Sequence, residues 1–226
     1  DQVENIHAIE TGMSASPEML WHLSFLNNKA IVSFSDIHSF WPWRLGREAT
    51  IFSQVSSYKD VIQQIHNNTI LGTIETHPEY GKYHYDGHRL CKFSSSPQES
   101  KKLNNICPVC SKPLTIGVEY RVEELTNQDI GKNPNKKPFY KILPLHEIIA
   151  LGKSYPLASK KTWTVYNSLI EIFKTEFDIL LDVPEHELKK ALPQDAFLVD
   201  LIIKNREGKI KVKPGFDGEY GIPILP

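Results

Sequence analysis

The chain has 226 residues, with 26 lysines and arginines against 27 aspartates and glutamates, a formal net charge of −1. That balance excludes a globally basic nucleic-acid binder, so any phosphate contact must come from local patches. Hydrophobic residues make up 40% of the chain, enough for packed cores, yet no apolar run approaches the ~18 residues that span a bilayer, and no membrane partner is expected. The opening DQVENIHAIE has neither the basic nor the apolar region of a secretory signal, which points to a reducing, cytoplasmic setting. The first residue is not methionine, and the expectation is a piece of a longer protein.

Taken in chain order, Ser16 suits a helix N-cap and Pro17 the first helical position. Met19, Leu20, Leu23 and Leu26 follow at helical spacing and predict one helix ending at Asn27 and Asn28. Residues 30–34 are short and partly β-branched, a buried strand that ends in Ser35-Asp36-Ile37-His38. A helix followed by a strand with a polar end belongs to an α/β sheet or barrel. These elements are too few to close a barrel, so most of that domain is expected upstream. The pattern then predicts a helix at 58–67, a strand at 70–75 and a helix at 115–125. Residues 127–137, rich in Gly, Pro, Asn and Lys, read as a linker or loop. Helices follow at 145–151, 160–177, 185–191 and 195–205, then a strand at 209–213 and a turn-like tail at 214–221. Three segments result: 1–57, 58–125 and 126–226.

Cys91, Cys107 and Cys110 are an odd set, which argues against a secreted disulfide framework. His88-x2-Cys91 and Cys107-x2-Cys110 instead supply two ligand pairs at the spacing of a tetrahedral structural Zn²⁺ site. His84 is the alternative to His88 as fourth ligand. The bland alternative is buried thiols beside surface histidines. A rival reading joins His77-Pro78-Glu79 to Cys107-x2-Cys110 as the H-x-E…P-C-x-x-C pattern of zinc deaminases. Ile106 in place of the proline opposes it, as does Tyr80-Gly81-Lys82-Tyr83 where a helix should begin.

Asp36 and His38, two positions apart at a strand end, share one face and suit a catalytic divalent ion, Zn²⁺, Mg²⁺ or Mn²⁺. A capping Asp beside an incidental His is the commoner origin of such a pair. The loop that follows holds Trp41, Trp43, Arg44 and Arg47. Arginine binds phosphate bidentately, and tryptophan stacks on bases or seals a rim. Ser14 is a candidate contact to a flipped base, and Glu10 a further candidate near the metal. Lys132, Lys136, Lys137 and Lys141, then Lys153, Lys160 and Lys161, then Lys204, Arg206, Lys209, Lys211 and Lys213, form basic patches that track DNA or simply face solvent. His146 and His186 read as packing or surface groups.

Several longer motifs resemble endonuclease Q, a DNA-repair member of the PHP (polymerase and histidinol phosphatase) phosphoesterases. They are Glu10-Thr11-Gly12-Met13-Ser14, Ser35-Asp36-Ile37-His38-Ser39 and Trp41-Pro42-Trp43-Arg44-Leu45-Gly46-Arg47-Glu48-Ala49. The similarity continues through Gly81-Lys82-Tyr83-His84-Tyr85-Asp86-Gly87-His88-Arg89, Cys107-Pro108-Val109-Cys110, Pro113 to Val118, Arg121 to Leu125 and Pro214-Gly215-Phe216-Asp217-Gly218. The resemblance implies an α/β fold: part of a PHP-type (β/α)7 barrel, then a zinc-binding domain, then a helical C-terminal domain. It implies metal-dependent cleavage 5′ of deaminated bases or abasic sites, with damaged DNA as partner. Asp36 and His38 fall on the family's last metal-ligand motif. The family's H-x-H motif has no counterpart here, so the expectation is a C-terminal portion lacking the N-terminal metal ligands. The alternatives are a non-catalytic zinc-containing DNA-binding module and a PHP phosphoesterase acting on a small phosphate ester.

Overall fold

The structure is a computed structural model that describes residues 2–225. Strand β1 (Ala8–Glu10) leads to helix α1 (Pro17–Leu20), with Pro17 in its first turn, and on to strand β2 (Ala30–Val32). β1 and β2 pair in parallel, Ile9 opposite Ile31. The single helix predicted up to residues 27–28 is instead α1 plus a 3₁₀ turn at Ser24–Leu26, because Leu23 between them is extended. That break lets Leu20, Leu23 and Leu26 bury together against Ile9, Ile31 and Leu125, so the helical spacing marks a small core without a continuous helix.

Strand β3 (Ala49–Ile51) and helix α2 (Tyr58–His66) follow, α2 opened by a capping box of Ser57 and Asp60. Next come β4 (Gly72–Glu75), the hairpin of β5 (Asp86–His88) and β6 (Phe93–Ser95), α3 (Pro97–Lys102), α4 (Val118–Leu125) and β7 (Phe139–Lys141). β4 is central in a mixed sheet, antiparallel to β3 and parallel to β7. All four of its residues are buried. This sheet draws one strand from each of the three sequence segments, so the boundaries at 57/58 and 125/126 do not separate independent sheets. The architecture is mixed α/β; among the described residues the strands form four small sheets rather than one continuous parallel wall. The stretch 127–137 is pinned rather than a free linker: the Gln128 side chain donates to the Trp21 carbonyl and to Asn27, each at 2.8 Å.

Helices α5 (Leu145–Lys153), α6 (Lys160–Phe173), α7 (Glu185–Ala191) and α8 (Ala196–Arg206) build the main core. α6 stops at Phe173, short of the predicted 177, because Lys174 takes φ +73. A π turn then covers Asp178–Asp182. Leu145, Ile148, Ile149, Leu169, Leu188 and Leu201 are fully buried, and Ile51 and Ile74 of the mixed sheet pack onto the same cluster. β8 (Lys211–Lys213) and β9 (Ile222–Ile224) close the chain as an antiparallel hairpin.

Candidate functional site

The loops after β1 and β2 leave the same end of a parallel pair, the end where α/β proteins gather their chemistry. They wall a cavity of about 410 Å³ that includes Glu10, Thr11, Ser14, Asp36, His38, Arg47 and Glu48. A second cavity of about 250 Å³ shares Asp36, His38, Arg47 and Tyr220 and adds Trp41 and Arg44. The sequence separates these residues into several motifs, and the fold brings Ser14, Asp36, His38, Arg44 and Arg47 to one surface.

Asp36 and His38 are adjacent, but not for the reason the alternation of a strand suggests. β2 ends at Val32, and Asp36 lies four residues further on in a loop, with φ +41. The curl of that loop places His38 Nδ1 at 2.8 Å from the Asp36 carbonyl oxygen and 3.7 Å from its carboxylate Oδ2. A carbonyl oxygen only accepts, so Nδ1 is the donor, and in the neutral imidazole the lone pair is on Nε2. That is how a histidine is held ready for a metal, its second nitrogen fixed by a carbonyl. Both side chains are exposed. The donors fit two positions of a divalent-ion site. Among the described residues, the only group of three or more close His, Cys, Asp or Glu ligands lies elsewhere.

Arg47 is buried, and its Nε and Nη1 have no hydrogen-bond partner among the described residues. Donors left in this state on a cavity wall suit an anion. Beside it, burial pushes the Glu48 carboxyl up to about 7, against the opposing pull of the Arg47 guanidinium. Behind Glu48, Glu75 has no exposed surface and is likewise pushed to about 7 by burial, although Thr11 donates to its Oε2 at 2.8 Å.

Trp43 is corrected from base contact to packing group. It is 4% exposed and stacks on His146 with ring centroids 4.6 Å apart and 7° between planes. His146 in turn lies 4.4 Å from Trp163 and donates from Nε2 to the Leu157 carbonyl. No partner for Trp43 is visible in the sequence, because His146 lies more than one hundred residues away. The stack rivets the loop bearing Arg44 and Arg47 to α5. Trp41 lies on Trp43 at 4.5 Å and faces the smaller cavity, and exposed Phe40 lies on Trp41 at 4.5 Å. His186 is exposed, 3.0 Å from Glu187.

His88, Cys91, Cys107 and Cys110 form the second site. Their ligand atoms all lie within 4.8 Å of one another, with His88 Nδ1 at 3.1 Å from the Cys91 sulfur and 3.2 Å from that of Cys110. One nitrogen and three sulfurs at these separations fit the tetrahedral shell of a structural metal ion. Burial opposes ionisation of the Cys107 thiol, but the N–H groups of Val109 and Cys110 aim at its sulfur and draw it down to about 6. His84 does not join this cluster. Its Nδ1 donates to the Ser14 carbonyl at 3.2 Å and its Nε2 lies 3.6 Å from Glu119, so it ties the Ser14 loop to the β5 region. His77 is also outside the cluster, buried, held neutral by that burial with a pKa down to about 4, and followed by a 3₁₀ turn. The deaminase pattern therefore has no shared centre.

Lys82, Tyr83 and Tyr220 are not among the residues that the motifs single out, although all three line the larger cavity. Lys82 and Tyr83 stand in a quoted motif, and their proximity to a zinc pair was the available signal. Tyr220 gave none, since only the return of the tail brings it there.

A mixed α/β fold with a polar cavity at its loop end and a separate His/Cys3 cluster that could hold a metal ion defines the class, and comparison makes the likeness particular. The chain is similar to endonuclease Q. A crystal structure of the lesion-specific endonuclease PfuEndoQ from Pyrococcus furiosus superposes with a TM-score of 0.86 at 27% identity, over 98% of this chain and 55% of that one. A crystal structure of endonuclease Q with a 27-mer duplex carrying an abasic lesion at its active site gives 0.85 at 26%, over 98% and 56%. Residues 144–209 match the family model of the MJ0043 C-terminal domain. The uncharacterized protein MJ0043 of Methanocaldococcus jannaschii is 32% identical over 94% of the chain, and YqxK of Bacillus subtilis, also uncharacterized, 27% over 96%. The chain spans 28% and 52% of the lengths of these two relatives. Among the described residues no helix is long and apolar enough to cross a membrane.

Proposed function

We propose that this chain is part of a metal-dependent DNA endonuclease of the PHP class that cuts the phosphodiester 5′ of deaminated bases or abasic sites. The remaining ligands of the catalytic ion would come from barrel segments outside these 226 residues. The observation that carries the reading is the Asp36–His38 pair, 3.7 Å apart at the mouth of a cavity with Arg44 and Arg47 close by. Support comes from the likeness to an endonuclease Q solved with lesion-bearing duplex DNA. Residues 1–57 then carry the barrel edge, 58–125 the zinc knuckle and 126–226 the helical support, as functional rather than folding units. The free thiols suit a reducing, cytoplasmic setting.

Asp36 and Nε2 of His38 would hold Zn²⁺, Mg²⁺ or Mn²⁺, and His88, Cys91, Cys107 and Cys110 a structural Zn²⁺. The divalent ion, when bound, supplies a water-derived nucleophile near neutral pH and offsets phosphate charge. Arg44 and Arg47 donate to the phosphate oxygens and stabilise the charge that builds on them during attack. The larger cavity, about 410 Å³, is in the range of small-ligand pockets and takes an extruded nucleotide, with Ser14 reaching its base or phosphate. Extrusion costs a few kcal/mol, least at an abasic or mispaired position. Trp41 offers a face for stacking beside it.

A second reading, a DNA-binding module without cleavage, is favoured for the isolated chain by one observation: Asp36 and His38 are two donors where a tight site takes at least three. A nicking assay on uracil, hypoxanthine and abasic duplexes with each metal separates the two. Cleavage by a version extended with the relatives' additional sequence, lost in Asp36→Ala, is expected. Cleavage that survives Asp36→Ala would remove Asp36 from the metal site, and binding without cleavage in every form would favour the module.

A further inference from the structure

The segment 214–221 is a strap that crosses from the helical core over the knuckle to the cavity. Its Gly215 N–H donates to the Glu79 carbonyl at 2.8 Å, Gly215 accepts from the Tyr85 N–H at 2.9 Å, and the Gly218 N–H donates to the Lys82 carbonyl at 3.0 Å. Asp217 accepts from the Arg89 N–H and from the Thr115 hydroxyl, and so fastens the strap to the loop that carries His88 and Cys91. The end of the strap delivers Tyr220 to the wall common to both cavities. There Lys82 Nζ lies 4.5 Å and the Arg44 guanidinium carbon 5.9 Å from the centre of the Tyr220 ring. Among the described residues neither cation forms an ion pair. Two positive groups gathered at one ring repel each other. The ring's negative face offsets part of that repulsion, and an anion between or beside them removes the rest.

We propose that Lys82 and Arg44, held by the Tyr220 ring on the strap, form a backbone-phosphate grip for the DNA strand that enters the cavity. It deepens the endonuclease reading and rests on it. Lys82 makes the contact, Tyr220 is a positioning residue, and the strap makes this grip depend on the knuckle fold. Of these two cations only Arg44 is legible as a phosphate ligand in the sequence, and the geometry adds Lys82 from another segment.

The test is the salt dependence of binding of the metal-loaded 226-residue chain to abasic duplex DNA, because each lost phosphate contact lowers the slope of log K against log salt by roughly 0.9. Lys82→Gln is expected to weaken binding about tenfold at low salt and to lower the slope by about one contact. Tyr220→Leu is expected to weaken binding in the same direction, and Tyr220→Phe to restore most of the loss, since it keeps the ring. A purely structural role for Lys82 would change affinity without changing the slope. Wild-type affinity and slope in Lys82→Gln would overturn the grip while leaving the endonuclease reading intact. No binding of any duplex by the unaltered chain at low salt would overturn both.

Discussion

Glu75 is a carboxyl with no exposed surface, and burial makes the folded chain hold its proton up to about 7, against 4.5 for an ordinary glutamate. Between those values the folded state binds more protons than the unfolded one, so stability must fall as pH rises through the window and level off above it. The penalty is at most about 3 kcal/mol, shared with neighbouring Glu48, whose charge raises Glu75 further. Glu75→Gln removes the titrating group. In urea unfolding between pH 5 and 8 the variant should gain on the wild type as pH rises to about 7 and hold that gain above it. A constant difference across that range would mean Glu75 is ionised in the folded protein. Comparing the two proteins also cancels the opposite trend of the thiol ligands, whose metal binding strengthens with pH. Single residues were unevenly legible. The three cysteines of the knuckle follow from spacing, because ligand geometry limits how far apart in sequence each pair can sit, whereas His84 and His88 both suit the fourth position and the fold brings only His88 to the sulfurs. Asp36 and His38 were found through a motif, but their juxtaposition comes from a positive-φ loop, which no periodicity encodes. Glu75 gave no sign, since a carboxylate in a four-residue strand reads as an exposed edge until β3 and β7 cover it.

At the scale of elements, the strap and the knuckle hold each other. A methyl group on Gly221 would lie 2.1 Å from the Glu79 carbonyl oxygen and 2.8 Å from that of Lys213, both backbone atoms that cannot rotate away. Gly221→Ala should therefore lift the strap and destabilise the protein by about 1–3 kcal/mol, the usual cost of overpacking. Urea denaturation measures that loss, and an unchanged midpoint would show that the contact has room to relax. Stripping the metal that the knuckle would hold acts from the other side. Titration with a strong chelator, or Cys107→Ser, should release one bound metal per chain by elemental analysis and unprotect the amides of β5, β6 and the strap to hydrogen exchange. Amides of α8, which packs in the helical core, should stay protected. Uniform loss of protection would mean the knuckle supports the whole fold. The longer helices are legible from apolar spacing, and Ser57, Ser159 and Asp195 accept from backbone N–H groups at three of their starts, whereas short α3 passes unseen despite its Ser96–Glu99 capping box. β5 and β6 are not legible either, since Asp-Gly-His and Phe-Ser-Ser carry no β-branched signal and pair only because the knuckle closes beside them. β9 contains Pro223, which reads as a break until it is seen on the edge of a two-stranded ribbon.

The whole molecule is organised around the helical cluster, and the cavity loops have no large core of their own. The small cluster of Leu20, Leu23 and Leu26 is the only other apolar centre described, and the loop carrying the arginines reaches across to α5 through Trp43 and His146. Ala49 and Ile51 of β3 also pack on the helical core, so the segment before residue 58 is stabilised from behind by the last third of the chain. This long-range dependence is what a segment-by-segment reading could not supply, because each segment alone looks like a separate unit. It predicts cooperativity. Leu188 on α7 is fully buried and belongs to the helical cluster, outside both cavities. Leu188→Ala should cost about 2–5 kcal/mol. If the cavity loops depend on this core, the loss must appear equally in tryptophan fluorescence, to which Trp43 and Trp163 in the stack contribute, and in far-ultraviolet circular dichroism, dominated by the helices. Both signals should move to the same lower urea midpoint in a single transition. If the dichroism midpoint alone shifted, with the fluorescence of the stack unmoved, the arginine loop would be anchored by its own segment and the dependence on α5 would be refuted. Trp43→Phe gives the reciprocal arm. It keeps a ring against His146 but leaves a void, and it should lower the helical midpoint although Trp43 belongs to no helix of that core.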